Sequence, residues 1–196
     1  MSLPDDIIVQ NVLRGDVNAF ESLVTRHRRH VARIVAGHVP YDRAEEVAHD
    51  AFVNAYRGLA SYKGGDRFAG WLARIAVRCC YDFWREQYRS REVGAGNLSM
   101  DSVELMDRVM ADTAMRTYQS EAGKAEAQEV LRWAMGQLSP EDRMVVTLTA
   151  LEEKSVAEAA DLLGWTQVNV KVRALRARRK LKDILGRAGI TEVDYD

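Results

Sequence analysis

From Thr166 to Arg187 the chain carries eight lysines and arginines, Lys171, Arg173, Arg176, Arg178, Arg179, Lys180, Lys182 and Arg187, against a single acid, Asp183. Cations at that density suit the neutralisation of phosphate. Between them Val170, Ala174, Ala177, Leu181, Ile184 and Leu185 recur at helical spacing and make one apolar stripe, from which the cations are expected to point away. A helix that packs on one side and is cationic on the other suits the DNA major groove. Ser155 with Glu158 reads as a capping box, Gly164 as the end of a short helix, and Thr166 as the cap of the next. Residues 155–185 therefore read as a helix-turn-helix. Val172 and Leu175 lie off the stripe yet are apolar, and thymine methyl groups are natural partners for them.

A second group of residues suits a different form of nucleic acid. Tyr62, Phe68, Trp71, Tyr81, Phe83, Trp84 and Tyr88 are interleaved with Arg67, Arg74, Arg78, Arg85 and Arg89. Rings on which bases stack, beside guanidinium groups that neutralise the backbone, are what unstacked single strands need. Trp71 and Phe83 are better read as core.

Other chemistries find little support. Cys79 and Cys80 are adjacent, a poor geometry for a structural disulfide, and no CxxC spacing occurs. His27 and His30 share a helix face but lie among Arg26, Arg28, Arg29 and Arg33, which disfavours a metal cation; His38 and His49 have no ligand pattern around them. A nuclease would need clustered carboxylates, and Glu45, Glu46 and Asp50 lack a further ligand. No catalytic residue, metal site or cofactor is expected. The N-terminal MSLPDDIIVQ is acidic and has no long apolar core, so neither a secretion signal nor a membrane span is expected, and the protein is expected to be cytoplasmic.

The net charge of −1 is a mean of segregated parts. Val93 to Val130 holds seven acids against Arg108, Arg116 and Lys124, the opposite balance to Thr166–Arg187. Such segregation argues for distinct surfaces with distinct partners.

Strand signals are almost absent, so the expected fold is all-α: two small helical domains joined by a flexible acidic linker. Helices are expected near 5–14, 16–37, 42–59 and 68–88, then near 123–137, 140–152, 156–163 and 167–186. Pro4, Pro40 and Pro140 each mark a boundary, and Ser139-Pro140-Glu141-Asp142 reads as a cap, a first-turn proline and two first-turn acids. The boundaries are placed at 1–91, 92–121 and 122–196, with the break at VGAGNLSM and a marginal helix over 101–118. Ala44, Val47, Ala48, Ala51, Phe52, Ala55 and Leu59 make a core stripe. Glu46, Asp50 and Arg57 surround an outward Val53, a hint of a protein contact.

In order along the chain, GDVNAFESLVTRH (15–27), AEEVAHDAFVNAYRGLASYKG (44–64), FAGWLARIA (68–76), LSPEDRMVVTL (138–148) and SVAEAADLLGWTQVNVKVRALRARRKL (155–181) resemble successive blocks of the extracytoplasmic-function sigma factors. These are the small two-domain, group IV members of the bacterial sigma-70 family. The resemblance implies an alternative sigma factor. Its N-terminal domain, region 2, would bind the β′ clamp helices of RNA polymerase and open the −10 promoter element. Its C-terminal domain, region 4, would sit on the β flap and read the −35 element. The acidic linker would pass through the RNA channel, and catalysis would belong to the polymerase. A stress or envelope-type regulon and silencing by an anti-sigma factor are further implications.

Carried over by position, the resemblance implies a core-polymerase face of Glu46, His49, Asp50, Val53, Asn54 and Arg57. It implies −10 contacts from Tyr62, Lys63, Gly64, Gly65, Asp66, Arg67, Phe68, Arg74 and Arg78, the loop capturing a flipped base. It implies −35 contacts from Ser155, Thr166, Gln167, Asn169, Lys171, Val172, Arg173, Leu175, Arg176 and Arg178, with Arg173 and Arg178 on the DNA backbone. Two positions depart from the family pattern. His49-Asp50 stands where Gln-Glu is usual, and Arg78 where Asn is frequent, a change that bears on −10 preference or melting.

The rival reading is a stand-alone helix-turn-helix regulator of the response-regulator type. It would need an α/β receiver, and the N-terminal half shows no strands. An anti-sigma-like adaptor fits the basic second helix still less well.

Overall fold

A computed structural model describes residues 3–64, 68–93 and 121–190 of the chain. All of its regular elements are helical, and among the described residues there is no strand. The fold class is all-α, as the periodicity requires.

Helix α1 (Asp5–Leu13) starts after Pro4, whose extended backbone (ψ 149°) turns the chain into the helix, and Asp5 and Asp6 face its positive end. The helix expected over 16–37 begins instead as a 3-10 turn, Val17–Ala19, because the Asp16 carboxylate accepts the Ala19 amide at 3.3 Å; α2 (Phe20–His38) follows. Pro40 precedes α3 (Tyr41–Gly58), which ends in a 3-10 turn at Leu59–Ser61. Helix α4 (Phe68–Val93) extends beyond the 68–88 expected for it. Ile8, Val9, Val12, Leu23, Val31, Val35, Val47, Ala51, Ala55, Leu72, Ala76 and Val77 are buried, one stripe from each of these helices, with Leu59 of the 3-10 turn beside them. Ala44, Ala48 and Phe52, expected in the same core, are half-buried at its edge.

Helix α5 (Glu121–Gly136) leads to Ser139, whose hydroxyl accepts the Asp142 amide at 3.3 Å and caps α6 (Pro140–Val146) with Pro140 in its first turn. The α-helix expected to continue to 152 does not. Thr147–Leu151 winds as a π turn, with the Glu152 amide on the Thr147 carbonyl at 2.9 Å. The Thr149 hydroxyl donates to the Val145 carbonyl at 2.7 Å, a side-chain competitor for the backbone at the place where the winding changes. Helices α7 (Val156–Leu163) and α8 (Gln167–Arg187) follow.

The chain forms two compact units, Met1–Trp84 with Lys154–Gln167, and Arg85–Glu153 with Val168–Asp196. Residues 154–167, which hold α7, are thus grouped with the first unit, whereas the sequence boundaries keep them with the second. In the second unit Ala134, Met135, Leu138, Met144, Val145, Val146, Leu148, Val170 and Ala177 are buried. The break at 94–100 and the marginal helix over 101–118 lie outside the described residues.

Candidate nucleic-acid interfaces

The capping box before α7 is present in full. Ser155 Oγ accepts the Glu158 amide at 3.2 Å, and Glu158 Oε2 accepts the Ser155 amide at 2.9 Å and its hydroxyl at 2.7 Å. Those hydrogen bonds from the hydroxyl and the backbone hold the Glu158 carboxyl below the usual carboxylate range. Gly164 ends the helix in the left-handed region (φ 67°), and the Trp165 amide reaches back to the Ala160 carbonyl at 2.9 Å. That pairing closes a Schellman turn, which only a residue at ease with positive φ permits. Thr166, Gln167 and Asn169 are exposed just after this turn, and Ser155 is exposed at the other end of α7.

Of the apolar stripe expected on α8, Val170 and Ala177 are completely buried, whereas Ala174, Leu181, Ile184 and Leu185 are only half-buried. Its cations are arranged differently from the sequence expectation. Arg173 and Lys180 do not point away from the stripe; they flank it and face α6. Asp142, 4% exposed at its side chain, places Oδ1 3.3 Å from Arg173 Nη1 and Oδ2 2.5 Å from Lys180 Nζ, with Glu141 4.0 Å from Arg173. Arg173 is therefore bound within the protein at the position where a DNA-backbone contact is expected of it. Lys171, Arg176, Arg178 and Arg179 are exposed. So are Val168 (70%), Val172 (43%) and Leu175 (55%). At 3.6 residues per turn these three share the side opposite Val170 and Ala177. From Val168 to Leu175 the outward surface of α8 is thus apolar along its centre with Lys171, Arg176 and Arg178 on its flanks, and Arg179, one turn beyond Leu175, continues the central line as a cation.

Around the second group, Tyr62, Phe68 and Trp71 form a ring cluster with centroids 5.4 Å apart in each pair. Phe68 is 3% exposed and also meets the His27 ring at 5.2 Å, so it is a support for this cluster rather than a surface on which a base could stack. Trp71 is half-buried, as is Phe83, which packs edge-on to Trp84 and beneath Arg43. Both are less enclosed than a core reading expects. Tyr62 donates its phenolic hydrogen to Asp6 at 2.7 Å. His27, 8% exposed, lies 2.8 Å from Asp5, which also pairs with Arg26. Two acids of α1 therefore brace the ground on which the rings stand, a role that sequence spacing did not reveal.

Lys63 is exposed and Gly64 adopts φ 67°; Gly65, Asp66 and Arg67 lie outside the described residues. Arg74 makes a two-pronged ion pair with Asp161, both contacts at 3.0 Å. Arg78 is exposed, with its guanidinium 5.4 Å from the Tyr81 ring and 3.4 Å from Asp82. Both pairs are partly solvated and so worth little, which leaves either arginine able to exchange its partner for a phosphate.

On α3, Glu46, His49, Asp50 and Arg57 are exposed and Val53 half-buried on the side away from the buried Val47, Ala51 and Ala55, while Asn54, two turns on from Val47, is exposed at the edge of that buried stripe. Glu46 pairs with Arg43 at 2.9 Å. Asn54 donates to the Cys79 sulfur at 3.3 Å. Burial pushes the Cys79 thiol up, and Cys79 and Cys80 are both free. Among the described residues no cluster of His, Cys, Asp or Glu could hold a metal ion, and no helix is long and apolar enough to cross a membrane.

Two family models match the chain: sigma-70 region 2 over residues 23–90 and sigma-70 region 4 over residues 128–181. The ECF RNA polymerase sigma-E factor of Escherichia coli (strain K12) is 30% identical over 182 residues, covering 91% of this chain and 93% of that protein. The sigma-E factor of Haemophilus influenzae is 27% identical over 184 residues, covering 92% and 95%. Among solved structures, CnrH in complex with the cytosolic domain of CnrY is similar at 26% identity with a TM-score of 0.52, over 93% of this chain and 97% of that one.

Proposed function

This chain belongs to the extracytoplasmic-function branch of the bacterial sigma-70 family, and from that premise we propose how its surfaces divide the start of transcription. It is an alternative RNA polymerase sigma factor, a transcription initiation factor, and the reading as a stand-alone regulator is not favoured. We assign no catalysis to it; bond formation belongs to the polymerase, and the site of action is the cytoplasm.

Residues 1–91 act as the module for core polymerase and the −10 element, and residues 122–196 as the −35 module, joined by 92–121. The observation that carries the −35 assignment is the outward surface of α8. Val168, Val172 and Leu175 are exposed along its centre, with Lys171, Arg176 and Arg178 beside them. Apolar side chains fit thymine methyls on the groove floor while flanking cations reach the phosphate walls. Arg176 and Lys171 are assigned to bases or phosphates, and Arg178 to phosphate.

Tyr62, Lys63, Gly64, Arg74 and Arg78, together with 65–67, are assigned to the opened −10 strand. Phe68 supports them from beneath. Unstacking a base costs a few kcal/mol, and the capturing loop must repay that cost. Glu46, His49, Asp50, Val53, Asn54 and Arg57 are assigned to the β′ clamp helices. An anti-sigma protein that covers the polymerase-binding surfaces is the proposed restraint. CnrH, similar over nearly its whole length, was solved with the cytosolic domain of another protein.

Run-off transcription with purified core polymerase across a genomic library tests the assignment. Initiation at promoters that the protein does not bind stably alone supports it. Stable promoter binding without polymerase, and no initiation with it, would return the protein to the regulator class.

A further inference from the structure

We propose that Asp142 is a positioning residue for the −35 helix that also withholds Arg173 and Lys180 from DNA phosphates. The inference rests on the reading of α8 as the duplex-binding helix.

Asp142 is held in the first turn of α6, where its amide donates to the Ser139 hydroxyl at 3.3 Å. Its side chain is 4% exposed, and a carboxylate so enclosed must be paired. Its two oxygens divide between two cations of α8, Oδ1 to Arg173 at 3.3 Å and Oδ2 to Lys180 at 2.5 Å. Positions 173 and 180 lie two helical turns apart on one edge of the helix. Val170 and Ala177 already seat one side of α8, and anchors two turns apart on the edge of that side add polar, geometrically specific constraints on rotation and axial register. Rotation decides which residues face outward, and here those are Val168, Val172 and Leu175.

The same bonds change the electrostatics of binding. Each cation that meets a phosphate releases a counterion and adds sequence-independent affinity. With Arg173 and Lys180 turned to Asp142, that affinity is lowered while the base-facing surface is untouched. The ratio of specific to non-specific binding, which governs promoter search, rises accordingly. A buried ionic contact is a weak source of net stability but a well-attested way to set register.

The test measures binding of the full-length protein to a short mixed-sequence duplex by fluorescence anisotropy, from about 50 to 200 mM salt. Asp142→Asn is expected to bind more tightly and to steepen the slope of log K against log salt by about 0.9 to 1.8, one or two added phosphates at about 0.9 each. Lys180→Gln alone is expected to leave the slope unchanged. In the double variant, the steepening gained by Asp142→Asn shrinks by about 0.9. A folded Asp142→Asn protein, by circular dichroism, whose slope is unchanged or shallower would overturn the proposal, since loss of a merely structural contact predicts that result. So would a shallower slope in Lys180→Gln alone, which needs no Asp142 variant and decides the matter if Asp142→Asn does not fold. If Arg178→Ala also leaves the slope unchanged, the assignment of α8 to duplex DNA falls, and this proposal with it.

Discussion

Tyr62 and Asp6, 56 positions apart, meet in a single hydrogen bond of 2.7 Å from the phenolic hydroxyl to the carboxylate. The bond ties the start of the proposed −10 loop to the first helix. Tyr62→Phe keeps the ring beside Phe68 and Trp71 and removes the hydroxyl that makes this bond. A loss of about 1 kcal/mol is expected, read as a lower Tm, together with weaker permanganate reactivity of the opened −10 region. An unchanged Tm with unchanged opening would show that the brace does not hold the loop.

The capping box gives a pH dependence with a definite sign. Glu158 has a carboxyl below the usual range because the Ser155 hydroxyl and backbone amide hydrogen-bond its charged form. A depressed folded value means that the stabilisation is fully present above the ordinary carboxylate pKa and is lost as pH falls through the lowered one. Thermal unfolding should therefore separate the wild type from Glu158→Gln at neutral pH and bring the two together in acid. Ser155→Ala should cost about 1 kcal/mol at neutral pH.

What could be read in advance was local. The box at Ser155 and Glu158, the left-handed Gly164 and the Ser139-Pro140 start are each specified within a few residues, and each is found where expected. The π turn at Thr147–Leu151 was not legible, because it involves a competition between the Thr149 hydroxyl and the backbone that hydrophobic periodicity does not record. Arg173 and Lys180 look like DNA-facing cations until Asp142, 31 and 38 residues away, is brought beside them by the fold. Phe68 looks like a stacking platform until its burial beside His27 and Trp71 is seen. Contacts distant in sequence decide which way a flanking side chain turns, and no helical pattern contains them.

Cys79 should behave as a core residue rather than a reactive thiol. Burial raises its pKa, and the hydrogen bond from Asn54 offsets only part of that rise. The thiolate is the nucleophile, so alkylation by iodoacetamide near neutral pH should be slow in the folded protein and fast in urea. Equal rates in the two conditions would mean that the α4 core opens readily.

Arg176 and Arg178 should separate base from phosphate recognition. A good base contact is worth about 1–3 kcal/mol, so Arg176→Ala should lower promoter use about ten-fold or more and relax preference at one −35 position. Arg178→Ala should instead weaken all sequences alike and reduce the salt slope by about 0.9. Binding to a set of −35 variants at two salt concentrations distinguishes the patterns. Identical behaviour of the two variants would remove the distinction drawn between them.

Val172 offers the finest test of what α8 reads. It is 43% exposed, between Val168 and Leu175 on the outward side, where a methyl group of thymine would complete its burial. One buried methyl is worth about 0.8 kcal/mol, close to four-fold in binding. Val172→Ser should therefore lose about that factor for a −35 element with thymine at the facing position. Replacing that thymine by deoxyuridine removes the same methyl from the other side and should cost the wild type the same amount. The two changes should not add, because each deletes one half of a single contact. Full additivity in holoenzyme promoter binding would mean that Val172 and the methyl do not meet, and the apolar centre of α8 would then need a different partner.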